Sequence, residues 1–520
     1  MWGRTRLFLV EGRKNEGVRV ASSYGTSKRV GFFAGPAVFV LMLLLPVPEG
    51  MKPEAMKVAA TTALMAIWWI TEAIPIPATS LLPIALFPTL GAMKSAASTA
   101  PYANHLIYLF MGGFFIAVTM ERWNLHRRIA LNTIKIVGVS PGRMILGFML
   151  ATAFLSMWVS NTATTMMMVP IGLAVIQQAF GFTHEDIIEH RGGKRELNFG
   201  RALMLGIAYA ASIGGVGTII GTPPNTIMVG MIEKMYGQHI SFAQWMAFGV
   251  PLAAITLFFT WWFLGKVLFP VGDLKLAGGE EIIRDELAKL GPMKKEEKYI
   301  VMVGCAVAAA WILRGFIKIP AISMMHDATI GILGAVVMFA IPINWEKGEF
   351  LLDWKTAVKI PWDVILLFGG GLAIAEGFGK TGLADWIALN LTALDGVSML
   401  VFIGVVVTMT IFLTELTSNT ATATLLIPIM GSAAVAMGVN PYGTIIGATV
   451  ACSYAFMLPV ATPPNAVVFG SGCVSIPQMA KAGFWINIFG IFLITAFTVY
   501  VMPMLWGLDL STLPAWAVGK

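Results

Sequence analysis

The chain has 520 residues, 57% of them hydrophobic and 12% charged, with a mean hydropathy of +0.77. That balance excludes an ordinary soluble domain and predicts an all-α polytopic membrane protein built as one integrated bundle. The net charge of +7 reads as loop charge that holds topology and not as a nucleic-acid footprint. Cys305, Cys452 and Cys473 fall in apolar or small-residue segments, so buried thiols are expected and a disulfide framework is not.

Residues 1–31 form a basic, polar arm with no convincing cleavage site, expected to stay as a cytoplasmic tail. Apolar spans follow at 32–47, 57–75 and 78–91, the last two separated by Ile74-Pro75-Ile76-Pro77. The span 104–121 ends in Arg122, Arg127 and Arg128. From Met144 to Thr183 there is no charged residue and no histidine, a run too long for one simple crossing of roughly 20 residues. Flanked by basic residues on both sides, about 143–180 is expected to enter and leave on the cytoplasmic side as a re-entrant hairpin.

The span 201–236 is interrupted by Gly214, Gly215, Gly217 and Gly221, and Pro223-Pro224 suit the first turn of a restarted helix. Residues 243–269 cross back, with Trp261 and Trp262 as interface anchors. Within the linker 271–297, Ile282, Ile283, Leu287 and Leu290 share one face of a short amphipathic cytoplasmic helix. This divides a first half, 32–270, from a second, 298–520. Spans at 298–315 and 327–343 open the second half; an outer hairpin at about 396–437, a broken helix at 441–475 and a closing span at 483–505 follow.

The halves repeat one another. Phe110-Met111-Gly112-Gly113 matches Phe368-Gly369-Gly370-Gly371, Ile129-Ala130-Leu131-Asn132 matches Ile387-Ala388-Leu389-Asn390, and Ser160 matches Ser418, all 258 residues apart. The offset falls to 240 between Thr222 and Thr462, which places an insertion in the charged loop around His184 to Arg201. About eleven crossings and two hairpins put the repeats in opposite orientations, with 27 of the 35 Lys and Arg residues in the cytoplasm, the N-terminus inside and Lys520 outside the cell membrane.

Two stretches carry the chemistry. Ser160-Asn161-Thr162-Ala163-Thr164 and Ser418-Asn419-Thr420-Ala421-Thr422 break the hairpins, and Gly221-Thr222-Pro223-Pro224-Asn225 and Ala461-Thr462-Pro463-Pro464-Asn465 break the spans that follow. Inside a bilayer the freed N–H and C=O groups of a broken helix must be met by protein, ions or cavity water. Carbonyl ends suit cations and N–H ends suit anions, the arrangement of a secondary transporter with its site at the repeat interface.

These doubled motifs resemble the divalent anion/sodium symporter family, and the likeness runs from about residue 32 to 505. The resemblance implies a homodimer in the lipid bilayer, each protomer with a scaffold and a transport part moving like an elevator, coupling Na+ to di- or tricarboxylates such as succinate, malate and fumarate. By motif position it implies sodium sites at Ser156, Ser160, Asn161 and Gly221, and at Thr414, Thr417, Asn419 and Ala461, several through backbone carbonyls. Substrate would meet Asn161, Thr162, Asn419 and Thr420, with Thr222, Thr462 and Pro463 lining the cavity. Sulfate or another oxyanion is the alternative substrate, since neutral tips accept either, and an anion channel is a further alternative.

Glu415, the only charged residue between Val397 and Met479, is open between a structural and an ion-coupling role. An enzyme is not expected. None of His105, His126, His184, His190, His239 and His326 forms a His-Glu-x-x-His motif, and Gly215-x-Gly217-x-x-x-Gly221 lacks the spacing of a dinucleotide loop.

Overall fold

The computed structural model describes residues 25–138, 140–272, 274, 276, 278–314, 325–390 and 398–517. Most of the N-terminal arm and Lys520 therefore lie outside the described residues. Helices of eight or more residues run in the order α1 (Thr26–Leu44), α2 (Pro53–Thr71), α3 (Leu82–Thr89), α4 (His105–Arg122), α5 (Leu125–Val137), α6 (Pro141–Ser156) and α7 (Asn161–Phe180). Next come α8 (Lys194–Gly215), α9 (Pro223–Tyr236), α10 (Phe242–Trp262), α11 (Gly279–Leu290), α12 (Lys295–Arg314) and α13 (Asp327–Ala340). The remainder are α14 (Trp362–Thr381), α15 (Leu383–Asn390), α16 (Met399–Thr414), α17 (Asn419–Ala436), α18 (Pro441–Cys452), α19 (Pro463–Gly470) and α20 (Ile476–Ala496).

The chain breaks where the sequence loses its helix formers. Ser160 caps α7, its Oγ accepting the Ala163 N–H at 3.2 Å. Pro223 and Pro463 open α9 and α19 after Thr222 and Thr462, whose backbones are extended (φ −142° in both). The two predicted hairpins are thus helix pairs, α6/α7 and α16/α17, and the two interrupted spans are α8/α9 and α18/α19.

Among the described residues, seven helical segments are long and apolar enough to cross a membrane, and four shorter apolar helices accompany them. One continuous core draws on both halves, from Phe110 and Phe148 to Tyr454 and Ile486, while a smaller one gathers Val58, Met65, Trp69, Phe87, Ile374 and Phe378. Helices α4 and α13 lie close because Gly112 meets the Gly331 backbone, where an added Cβ would sit 2.5 Å from the carbonyl carbon.

Helix α11 forms as expected, burying Ile282 and Ile283 against α5 and joining it through the Arg127–Glu286 ion pair. Arg128 adds a pair to Glu297 at 2.7 Å and a hydrogen bond to the Gly291 carbonyl at 2.9 Å.

Three features depart from the sequence reading. The first helix starts at Thr26 instead of 32, extending through the basic Lys28 and Arg29, with Lys28 pairing to Glu72 at 3.3 Å. Cys305 is exposed on α12, while Cys452 and Cys473 are buried as expected. A two-stranded antiparallel turn, β1 (Pro342–Asn344) and β2 (Glu349–Phe350), follows α13.

Candidate functional site

The four motif segments converge through crossed packing. Helix α7, which leaves the first tip, packs on α19 of the second half, and α17, which leaves the second tip, packs on α9 of the first. Each restarted helix therefore rests on the other repeat's hairpin.

At the first tip, Ser156 is fully buried and its Oγ donates to the Ala211 carbonyl at 2.7 Å. The Asn161 amide faces Ser156 Oγ and, each at 3.2 Å, the carbonyls of Ala211 and Gly221. With Nδ2 turned inward it donates to all three oxygens. With Oδ1 turned inward, four oxygens crowd one point with one hydroxyl proton among them, a set that only a cation satisfies.

The second tip repeats the cluster of oxygens around an Asn amide. Thr414 Oγ1, fully buried, lies 2.7 Å from Asn419 Oδ1 and 3.0 Å from the Cys452 carbonyl, and its single proton serves one acceptor at a time. Thr417 differs from the other named residues. Its hydroxyl is engaged by the Leu413 carbonyl at 2.9 Å and by Thr422 Oγ1 at 2.6 Å. The first half has Val159 at that position, and the buried hydroxyl of Thr164, the counterpart of Thr422, has no hydrogen-bond partner among the described residues.

The Asn residues of the two Thr-Pro-Pro-Asn motifs, absent from the sequence-based site, hold the breaks in shape. Asn225 Nδ2 donates to the carbonyls of Val216 at 3.2 Å and Thr218 at 2.8 Å. Asn465 Nδ2 donates to Ala455 and Leu458, both at 3.0 Å. Leu458 is the counterpart of Thr218 at the 240-residue offset, so the same amide closes the same loop twice. Thr462 Oγ1 also accepts the Asn465 N–H at 3.3 Å, whereas Thr222 makes no such cap. Thr222 and Gly221 are buried, Thr162 and Thr420 are half-buried and Pro463 is exposed.

The remaining supports differ between repeats. In the first half Thr218 Oγ1 donates to the Met157 carbonyl at 2.6 Å and Trp245 Nε1 to the Val216 carbonyl at 3.0 Å. In the second, Glu415 stands where Met157 stands in the first. Its Oε1 accepts the N–H of Phe456 at 2.7 Å and of Met457 at 2.9 Å, together with Asn487 Nδ2 at 2.7 Å. Its Oε2 accepts the N–H of Leu458 at 3.2 Å. Glu415 is therefore the anion that holds the orphan N–H groups of the broken segment, and the geometry favours the structural role.

The tips are also covered unequally. Leu416 and Val460 are 72% and 82% exposed, but their counterparts Trp158 and Ile220 are half-buried and 8% exposed. Trp158 stacks on Phe242, which stacks on Trp311 of α12.

Comparison with known proteins follows from this architecture. Residues 26–508 match the family model described as the sodium:sulfate symporter transmembrane region. The chain belongs to this family. It is 45% identical over 492 residues to the "Sodium-dependent dicarboxylate transporter SdcS" of Staphylococcus saprophyticus, covering 94% of each chain. The protein of the same name in Staphylococcus aureus (strain bovine RF122 / ET3-1) is 44% identical over 493 residues, again 94% of each.

Among solved structures, the YdaH transporter of Alcanivorax borkumensis superposes with a TM-score of 0.55 at 12% identity, over 85% of this chain and 98% of that one. MtrF of Neisseria gonorrhoeae gives 0.53 at 11% identity, over 90% and 94%. These two share the fold. The family member is thus a sodium-coupled membrane transporter and not an enzyme.

Proposed function

We propose that this family member is a symporter that couples sodium to the uptake of dicarboxylates of the succinate, malate and fumarate class. The observation that carries the reading is the doubled cluster of neutral oxygens at the breaks, those of Ser156, Ala211 and Gly221 around the Asn161 amide and those of Thr414 and Cys452 beside the Asn419 amide, where an amide that turns its Oδ1 inward completes a cation's ligand set. Sodium supplies the missing positive charge at Ser156, Ser160, Asn161 and Gly221, and at Thr414, Thr417, Asn419 and Ala461. Substrate carboxylates meet Asn161, Thr162, Asn419 and Thr420, with Thr222, Thr462 and Pro463 beside them.

Bound sodium is also the counter-charge for the substrate. No Lys or Arg occurs at 144–183, 202–233 or 397–479, so the motif segments offer a dianion no fixed cationic side chain. Helix N-termini contribute about half a charge each, less than a desolvated dianion requires.

On this reading α6/α7 and α16/α17 are re-entrant hairpins from opposite faces of the cell membrane, and the protomer works within a homodimer. The unequal cover of the two tips is one state of an elevator cycle. Exchange of the two inverted repeats' environments gives the other.

The relatives' names favour dicarboxylates over the sulfate of the family description. The test is uptake of labelled succinate by proteoliposomes under a sodium gradient, with malate, fumarate, citrate and sulfate as competitors. Sodium-driven accumulation blocked by dicarboxylates supports the proposal. Block by sulfate alone assigns the oxyanion, and single-channel current without accumulation contradicts symport.

A further inference from the structure

Three histidines and one glutamate that play no part at the tips meet at the His105 end of α4, the end remote from Arg122 and Arg127. His105 is the first residue of α4, Glu233 lies in the last turn of α9, His239 lies between α9 and α10, and His326 precedes α13. The ligand-bearing atoms of His105, Glu233 and His326 all lie within 4.8 Å of one another. His105 Nε2 is 3.3 Å from Glu233 Oε1, and the His105 and His326 rings are 4.3 Å apart. The other glutamate oxygen, Oε2, is 3.4 Å from His239 Nδ1, whose ring lies 4.9 Å from that of His326.

Two features separate this cluster from ordinary polar packing. His239 Nε2 and His326 Nδ1 are buried atoms, on partly exposed side chains, without a hydrogen-bond partner among the described residues, and His105 Nε2 faces the Glu233 carboxylate. The fixed cations that adjoin the cluster in the chain or through Asp327, Lys234 and Arg314, are paired with Glu376 and Asp327. Two imidazoles, one carboxylate and an open fourth position form a donor set that suits zinc. Ligand atoms around tetrahedral zinc stand about 3.3 to 3.6 Å apart, following from metal–ligand distances of about 2.0 to 2.2 Å. The His105–Glu233 pair is already at that separation, so closure needs only small side-chain rotations.

We propose that His105, Glu233 and His326 form a binding site for a divalent transition metal, zinc being the best match, with His239 orienting Glu233 as an outer partner. The four residues also come from different parts of the machine. His105 and His326 belong to the closely packed pair α4 and α13, whereas Glu233 and His239 belong to the broken helix that begins at Thr222 and to its exit. His326 further adjoins Asp327, whose carbonyl accepts the Trp311 Nε1–H at 2.8 Å, and Trp311 stacks on the Phe242 that covers Trp158. A bound ion therefore ties the broken helix to α4 and α13. If those parts move relative to one another, a consequence that rests on the elevator reading above, the ion arrests transport.

The experiment uses full-length protein in lipid nanodiscs. Zinc is titrated by calorimetry, and cobalt is titrated as a spectroscopic probe whose visible absorption bands report low coordination number. About one equivalent should bind, with affinity falling at least tenfold in His105→Ala, His326→Ala and Glu233→Gln, and less in His239→Ala. Sodium-dependent succinate binding in metal-free buffer, measured on the same variants, shows that they are folded and tests the transport reading separately. No saturable zinc binding to the wild type, or unchanged binding in both His105→Ala and His326→Ala, overturns the site. Zinc should also slow sodium-driven uptake by the wild type but not by His326→Ala. Full uptake by zinc-saturated wild type overturns the bridging role.

Discussion

Replacing Glu415 by Gln keeps the shape of the side chain but turns one acceptor oxygen into a donor facing donors. The carboxylate accepts Phe456, Met457 and Leu458 N–H groups and the Asn487 amide, at 2.7 to 3.2 Å. If the amide nitrogen takes the Oε2 position, the Leu458 N–H is left without its acceptor, while the Met457 N–H keeps only its bond to the remaining oxygen. A bond to a charged group is worth about 1.5 to 3 kcal/mol and one to a neutral group about 0.5 to 1.5, so one bond lost and three weakened cost the broken segment roughly 3 kcal/mol or more. If half of that reaches the sodium-loaded state, apparent sodium affinity falls about tenfold at 1.4 kcal/mol per decade. The assay is the sodium dependence of succinate uptake in proteoliposomes from pH 6 to 8, beside a thermal unfolding curve. The expected result is a right-shifted sodium curve at every pH and a lower Tm. Normal sodium dependence with only the pH response altered would refute the brace and assign Glu415 to proton coupling.

Asn225→Ala and Asn465→Ala each remove an amide that closes a break, at about 0.5 to 1.5 kcal/mol per neutral hydrogen bond. Both should lower Tm and weaken sodium-dependent succinate binding, and an unchanged melting curve for both would contradict the supporting role. Cysteines placed at Leu416 or Val460 should react faster with a water-soluble thiol reagent than cysteines at Trp158 or Ile220, and transport conditions that populate the opposite state should narrow or invert the difference. Equal rates under all conditions would contradict unequal cover of the tips.

The repeat was legible in the sequence because its motifs are local. Ser-Asn-Thr and Thr-Pro-Pro-Asn interrupt helices by their own backbone preferences, so the boundaries at 156–161, 216–222 and 453–462 follow closely from residue type. The helices α5 and α15 begin at Leu125 and Leu383, one repeat offset apart, yet their mixed polarity hid them from a search for long apolar runs.

What the chain could not reveal was how each break is held. Trp245 reaches Val216 from 29 residues away, and Asn487 reaches Glu415 from 72. Such pairs leave no periodic signal. The two halves solved the same problem with Thr218 and Trp245 in one case and a carboxylate in the other, so repeat symmetry was no guide either. The His105, Glu233, His239 and His326 cluster was likewise invisible, since four residues from distant segments form no motif.

The central claim is that sodium provides the positive charge the tips lack. Its most direct test is succinate binding to purified protein by calorimetry, first in sodium and then in an equal concentration of choline. Linkage requires that sodium and succinate tighten each other by one common factor, and couplings of about 1 to 3 kcal/mol correspond to roughly 5- to 150-fold. The predicted result is succinate binding at least tenfold tighter in sodium, matched by tighter sodium binding in succinate and abolished in Asn161→Ala with Asn419→Ala. Equal succinate affinity in the two salts would contradict the account and place the counter-charge on a cationic side chain outside the motifs.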